Sequence, residues 1–423
     1  MNIQTKPPLT VAEQALVDAF GRRIGDLPGN AALTDQRDRL LEALKDGGLP
    51  TRRIESWHYT DLRSLLKAVP HDGERGYAKA KPALVAGAHV VPLVNGAFAA
   101  SGRAPEGLVL ASYVDRLQSD EARIEPRGSD DAIGQINGAF VTDGAIVEIE
   151  AGAALDRAVE LQFLHEGGQT HTRSPVTVGP NASVTVIERH ENGSDDDALV
   201  TAITDLDVGA DANVTYVIVQ RQSLGDTHLG QINVRLAENA RLTLHVINAG
   251  GKLVRQEIHV VAEAEGSDLQ LRGVNLLGGD SHTDVTLTLG HDVPNTTSVE
   301  TFRNVVFDRA RGVFQGQIRV APDAQKTDAR MACNTLLLSD DGEFSVKPEL
   351  EIFADDVQCA HGATVADIEE SHLFYLMSRG ISEKTARSLL VKAFVSEIVE
   401  ELEDEPLVDA LHGVIESWLE THG

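Results

Sequence analysis

The strongest constraint on the fold is a change of hydrophobic period that persists for about 280 residues. From about residue 83 to 360 the apolar residues alternate in short runs, as strands with one buried face do. Examples are Val176-Thr177-Val178, Val184-Thr185-Val186-Ile187, Val214-Thr215-Tyr216-Val217-Ile218-Val219, Leu242-Thr243-Leu244-His245-Val246 and Val285-Thr286-Leu287-Thr288-Leu289. Several of these runs follow a small turn phrase: Gly179-Pro180-Asn181-Ala182-Ser183, Gly209-Ala210-Asp211-Ala212-Asn213, and Ala237-Glu238-Asn239-Ala240-Arg241. Ala182, Ala212 and Ala240 fall 30 and 28 residues apart. A loosely kept period of that size, with strands and no intervening helices, describes a β-solenoid. Short strands separated by turns suit a β-sandwich as well; the length of the region favours the solenoid. Hydrophobic residues make up 42% of the 423, yet aromatics only 4%. Val, Ile, Leu and Ala must therefore do most of the packing, as in stacked strands.

The flanks have a helical period. Residues 1–82 form the first region: Thr10-Val11-Ala12-Glu13 has capping-box form, with Leu16, Phe20 and Ile24 following at helical spacing. A break at Gly25–Asn30 precedes a second helix from about Thr34 to Lys45, and a third short element surrounds Trp57-His58-Tyr59-Thr60-Asp61-Leu62. His71 to Pro82, rich in Gly, Lys and Pro, reads as a linker. The strand region is placed at residues 83–364. Residues 365–423 are helical again, with Ala366–Ser378 as one helix that Gly380 can end and a second capped by Ser382. A last helix has Pro406 in its first turn. The acidic run from Glu397 to Glu405 reads as a solvated face and loop, or as a dock for a basic partner.

The formal net charge is −28. Such a surface repels phosphate backbones and argues against nucleic-acid binding. The N-terminus lacks the apolar core of a signal peptide, and the uncharged stretch 83–102 alternates and carries Pro92, so it reads as strand and not as a membrane span. The expectation is a cytoplasmic protein. Its two cysteines, Cys333 and Cys359, make no disulfide framework.

Local chemistry is sparse. In Cys359-Ala360-His361 a thiol and an imidazole two residues apart share one face of a strand, and both suit iron or zinc. The spacing alone is a weak signal and the ligand number is incomplete. Tetrahedral sites need four donors, and the others would come from Cys333, sulfide or another chain. Cys333 otherwise reads as a small buried residue. His165, His171, His190, His228, His245 and His259 share no spacing and read as strand-surface or turn residues. There is no phosphate-binding loop of the Gly-x-x-x-x-Gly-Lys type, no HExxH and no GxSxG, so autonomous catalysis has little support.

Longer phrases carry more information. Pro348-Glu349-Leu350-Glu351-Ile352, followed by Asp356-Val357-Gln358-Cys359-Ala360-His361-Gly362-Ala363-Thr364, resembles the SufB/SufD family of iron–sulfur assembly proteins. So do Leu373-Phe374-Tyr375-Leu376-Met377-Ser378-Arg379-Gly380-Ile381-Ser382 and, upstream, Arg330 to Ser339. Glu55-Ser56-Trp57-His58-Tyr59-Thr60-Asp61-Leu62 is similar to the E-x-W-K-Y-T segment of SufD, with His58 at the basic position. The Cys-x-His-Gly-Ala-Thr form points to the SufD branch. SufB has a Glu-His-Glu-Ala-Thr phrase here, is longer and has more cysteines.

This resemblance implies a mainly β fold, a right-handed parallel β-helix (β-solenoid) core with helical N-terminal and C-terminal regions. It implies a scaffold with no catalysis of its own, a heterodimer with SufB, and the ATPase SufC bound through the C-terminal helices. Phe374, Tyr375, Arg379 and Gly380 are the candidate contacts there. It makes Cys359 and His361 candidate ligands of a transient iron–sulfur cluster, or iron, shared with SufB. Sulfur would arrive from a cysteine desulfurase, and no nucleotide is expected on this chain. A flavin is linked to the assembly complex, but no phrase of this sequence marks a flavin site. An isolated chain pairing with itself stays open. The rival readings are a SufB-like scaffold, a purely structural partner with Cys359 and His361 merely packed, and a β-helical carbohydrate-active enzyme.

Overall fold

The computed structural model describes residues 8–71, 79–99, 103–119, 122 and 124–422. Two long sheets run side by side, and from β4 onward the chain crosses from one to the other at every strand. The first contains β1 (His89–Val94), β2 (Ala97–Phe98), β5 (Val159–His165), β7 (Ser183–Asn192), β9 (Asn213–Arg221), β11 (Arg241–Asn248), β13 (Asp268–Leu277), β15 (Thr297–Val306), β17 (Asp328–Leu337) and β19 (Gln358–Ala366). The second contains β3 (Leu108–Ser112), β4 (Ala145–Ile149), β6 (Gly168–Val178), β8 (Ala198–Val208), β10 (Thr227–Leu236), β12 (Leu253–Ala262), β14 (His282–His291), β16 (Arg311–Val320) and β18 (Glu343–Ile352). From β4 onward each strand pairs in parallel with the strand two further along the chain. That pattern is a parallel β-solenoid with two strands per coil.

The repeat seen in the sequence is the coil itself. Ser183 stands opposite Asn213, and Asn213 opposite Arg241. The turn phrases stack in one corner. Asn181, Asp211 and Asn239 adopt φ of 58°, 56° and 54°, a left-handed conformation that short amide and carboxylate side chains tolerate. Each donates its N–H to the next coil, Asn181 to Ala210 O, Asp211 to Glu238 O and Asn239 to Glu265 O. The staircase continues through Gly266, Asn295 and Lys326, which donates to Asp356 O. The residue after each step is buried: Ala182, Ala212 and Ala240, then Ser267, Thr296 and Thr327.

Alternate residues such as Val214, Tyr216 and Ile218 on β9 and Val285, Leu287 and Leu289 on β14 fill the lumen. Helices cover both outer faces. α1 (Val11–Arg23) is closed by the expected box, with Glu13 N–H donating to Thr10 Oγ1 at 3.2 Å and Thr10 N–H to Glu13 Oε2 at 2.6 Å. α2 spans Ala31–Gly47, a 3-10 turn Glu55–Trp57 follows, and α3 is Leu62–Leu65. These pack with Leu199, Ile203, Leu229 and Leu253 of the second sheet. The linker expected at 71–82 lies outside the described residues over 72–78; beyond it Lys81 is tied to Gln162 and Asn192.

Two helices lie inside the region expected to hold only strands, α4 (Tyr113–Leu117) and α5 (Ala132–Phe140). α5 is short, apolar and buried along its length, so its run reads like a core strand. The C-terminal helices are α6 (Glu370–Ser378), α7 (Glu383–Val399) and α8 (Glu405–His422). Ala366 closes β19 and does not begin a helix. Ser382 caps α7 through Thr385 N–H, and Gly380 sits at φ 86°. α7 and α8 lie on Ile187, Val217, Val219, Ile247, Val274 and Val305, the outward face of the first sheet. No described helix is long and apolar enough to cross a membrane.

The two ends of the solenoid differ. At the N-terminal end β2 and β3 pair antiparallel with β1 and β4. At the C-terminal end β18 and β19 have a partner on one side only.

Candidate functional site

The site follows from that open end. In β14 nearly every residue is buried, whereas no residue of β18 or β19 is. Phe344, Val346, Leu350, Val357 and Cys359 pack down onto the lumen core and stay half-buried because no coil covers them. The register puts Cys359 over Ala329 and His361 over Met331. Since Cys359 faces inward, His361 shares its face, and the imidazole is exposed. Two strand residues of that spacing have Cα atoms about 7 Å apart. They can flank one small inorganic cluster or share one ion as two of its donors.

Burial pushes the Cys359 thiol above its ordinary pKa, and the negative charges of Asp328 and Glu300 add to that while the Ala329 N–H opposes it. The thiol therefore needs a cation to become a good ligand. Cys333 lies one coil below, beside Ala363. It is buried, accepts from Asn304 Nδ2 at 3.3 Å, and has its thiol pushed up to about 12. It is a core residue. Among the described residues no three His, Cys, Asp or Glu side chains converge to hold a metal ion.

The segment Glu55 to Leu62 is a clamp across the outside of the second sheet. Trp57 is buried, and the Arg255 guanidinium lies over its ring, 3.8 Å from the centroid. Arg255 donates to Ser56 O at 2.7 Å, to Glu257 at 2.9 Å and to Asp284 at 2.5 Å. Thr60 Oγ1 donates to Asp284 and meets His282 Nε2 at 2.9 Å. Glu55 pairs with Lys347 on β18, so the clamp reaches the end coil. Arg255 was not distinguishable in the sequence; its signal is the alternation Arg255-Gln256-Glu257, which puts two opposite charges on one face.

Of the four candidate contacts in the C-terminal helical region, Phe374 and Tyr375 stand out. They are 74% and 58% exposed, too much apolar surface for a helix face with nothing against it. Arg379 lies 5.2 Å from the Tyr375 ring centroid, and Gly380 supplies the left-handed turn.

One expectation needs correction. All six histidines are buried in strands, three of them in the lumen and three on outward faces. His165, His190 and His228 are buried in the lumen, where His190 Nε2 meets Glu188 Oε1 at 2.8 Å and His165 Nε2 lies 3.4 Å from His190 Nδ1. Tyr216 and Thr204 both donate to the other oxygen of Glu188 at 2.7 Å. His171 stacks on Phe140 of α5, His245 is buried, and His259 pairs with Glu257. The carboxylates of the acidic run are exposed, as a solvated face and loop would be, and two of them also pair within the chain. Glu397 binds Arg303 at 2.8 Å and Glu401 binds Arg272 at 2.6 Å, tying the end of α7 and the turn after it to the first sheet.

The family profile for the SUF system of FeS cluster assembly, SufBD core domain, matches residues 163–394, more than half of the chain. This chain belongs to the SufBD family. The matched SufBD core begins in β5 and ends in α7, so it takes in the open end and the exposed helix α6. The chain is 29% identical to the iron–sulfur cluster assembly protein SufD of Escherichia coli over 383 residues, covering 88% of this chain and 90% of that protein. A SufBD family protein of Synechocystis is 27% identical over 400 residues, 88% of each. The chloroplastic protein ABCI7 of Arabidopsis thaliana is 27% identical over 303 residues, 69% of this chain and 64% of that one.

Proposed function

We propose that this chain is the SufD-type scaffold subunit of the SUF machinery, pairing with SufB across the open end of its solenoid. The observation that supports this reading is the uncovered last coil. Two strands of ten and nine residues present unpaired backbone N–H and C=O groups beside a half-buried apolar layer. Monomeric proteins normally cover or charge such an edge, because it invites another strand. A second solenoid end of the same kind would complete both.

Cys359 and His361 then face the partner at the junction and supply part of an interchain site for a transient iron–sulfur cluster or its iron. A thiolate and an imidazole both suit iron, and an incomplete donor set suits a cargo that must leave. ATP hydrolysis belongs to SufC, which would dock on the C-terminal helices around Phe374, Tyr375, Arg379 and Gly380. Sulfur comes from a cysteine desulfurase. This chain holds no nucleotide, turns over no substrate of its own, and works in the cytoplasm.

Anaerobic cluster reconstitution on the purified three-component complex tests the reading. His361→Ala is expected to lower cluster yield several-fold while the complex still assembles. Undiminished yield on an intact complex would leave His361 a packed residue and favour the purely structural partner.

A further inference from the structure

The lumen below the open end contains a carboxyl group with no well-formed hydrogen bond. Glu300, on β15, is fully buried, and neither of its oxygens makes a well-formed hydrogen bond, the Ser298 hydroxyl and the residue's own N–H acting on it only weakly. Buried polar groups are normally paired, and an unpaired carboxyl is among the most costly to leave so. A leucine would pack better in this column, where Leu271 occupies the coil below.

Its position relates it to the site above. The register runs Glu300, Met331, His361 in one inward column and Ser298, Ala329, Cys359 in the next. Two strand spacings separate β15 from β19, about 10 Å, which a glutamate side chain partly spans. The side chain between Ser298 and Cys359 is the single methyl of Ala329. Glu300 and Cys359 sense each other electrostatically, since the Glu300 charge is one of the influences that raise the thiol. Burial pushes the Glu300 carboxyl up to about 8, against weaker pulls from the Ser298 hydroxyl and Arg272. The other polar groups nearby are already engaged: His291 Nδ1 meets Thr296 Oγ1 at 2.7 Å and its Nε2 meets Ser298 Oγ at 3.1 Å.

We propose that Glu300 is a further iron-directed residue of the Cys359/His361 site, its carboxylate meeting ferrous iron that enters the end coil from above. This rests on the scaffold reading and extends it inward, from the rim of the solenoid to its lumen. A carboxylate is a hard donor, complementary to the thiolate and imidazole. Among the described residues these three groups do not converge on one point. Rotation of the Glu300 side chain and donors from the partner subunit complete the set.

The test is Fe(II) titration of the assembled complex under anaerobic conditions, with the thermal midpoint as the second readout. Glu300→Gln keeps the size and removes the charge. It is expected to weaken Fe(II) binding by tenfold or more with a midpoint equal to or above wild type. Glu300→Asp, which keeps the charge, is expected to retain part of the affinity. Wild-type iron affinity in Glu300→Gln would overturn the proposal, as would equal losses in the Gln and Asp variants. His361→Ala and Cys359→Ser run alongside. If they weaken Fe(II) binding and Glu300→Gln does not, the inference fails alone; if none of them does, the scaffold site fails with it.

Discussion

Arg255→Ala is expected to lower the unfolding free energy by about 3–5 kcal/mol, the usual cost of removing one partner from a buried ion cluster. Arg255 and Asp284 are fully buried and Glu257 is nearly so. Truncation leaves two buried carboxylates without their shared guanidinium, and it also removes the stacking on Trp57 and the bond to Ser56 O. Glu257 now sits well below the ordinary carboxyl pKa, despite the opposing effect of burial, because Arg255 and His259 hold it ionised. The loss should be felt first where the clamp meets the sheet. Denaturant unfolding of a Trp418→Phe background, followed by Trp57 fluorescence, reads both effects. The expected result is a lower midpoint with a red-shifted Trp57 signal. A change below about 1 kcal/mol would mean that the clamp contributes little.

The second large effect is a dependence of stability on pH, centred on Glu300. Its pKa is raised in the folded chain, so the folded state holds the proton more tightly than the unfolded state does. Its contribution is fully present below the ordinary carboxyl value of 4.5 and is lost as pH rises toward about 8. Each unit of displacement corresponds to about 1.4 kcal/mol, so the loss across that window is on the order of 4 kcal/mol. Glu300→Gln removes the titrating group, and the variant should equal wild type near pH 5 and exceed it at pH 8. Urea unfolding at both pH values measures the difference. Parallel curves for the two proteins would show that Glu300 is ionised and paired in the folded chain.

Much of the architecture was legible in the sequence because the solenoid repeats its own geometry. Ala182, Ala212 and Ala240 recur because each follows a residue held at positive φ in a stacked corner. The repeat fades after Ala240 for a physical reason. The same buried position is taken by Ser267, Thr296 and Thr327, and there Thr296 bonds His291 and Thr327 donates to Ala324 O. The helix α5 was hidden because its apolar run is buried on all sides, leaving no face for a 3.6-residue period to show. The lumen histidines and Glu300 were hidden more deeply. Strand alternation marks which residues share a face, but the inward positions were read as apolar throughout, and a polar residue in that register carries no sequence mark of its own. Cys359 and His361 were legible as a pair on one face. That the face belongs to an uncovered end is a property of the whole stack.

The central claim is that β19 is an edge awaiting a partner, and hydrogen exchange of the chain with and without SufB tests it most directly. Amides of residues 358–366 whose N–H groups point away from β17 have no strand to donate to. They should exchange rapidly in the isolated chain and slow by at least tenfold in the complex. The β17 amides below them should change little. If the complex forms and the β19 amides exchange as fast as before, the partner binds elsewhere and Cys359 and His361 do not lie at a shared site.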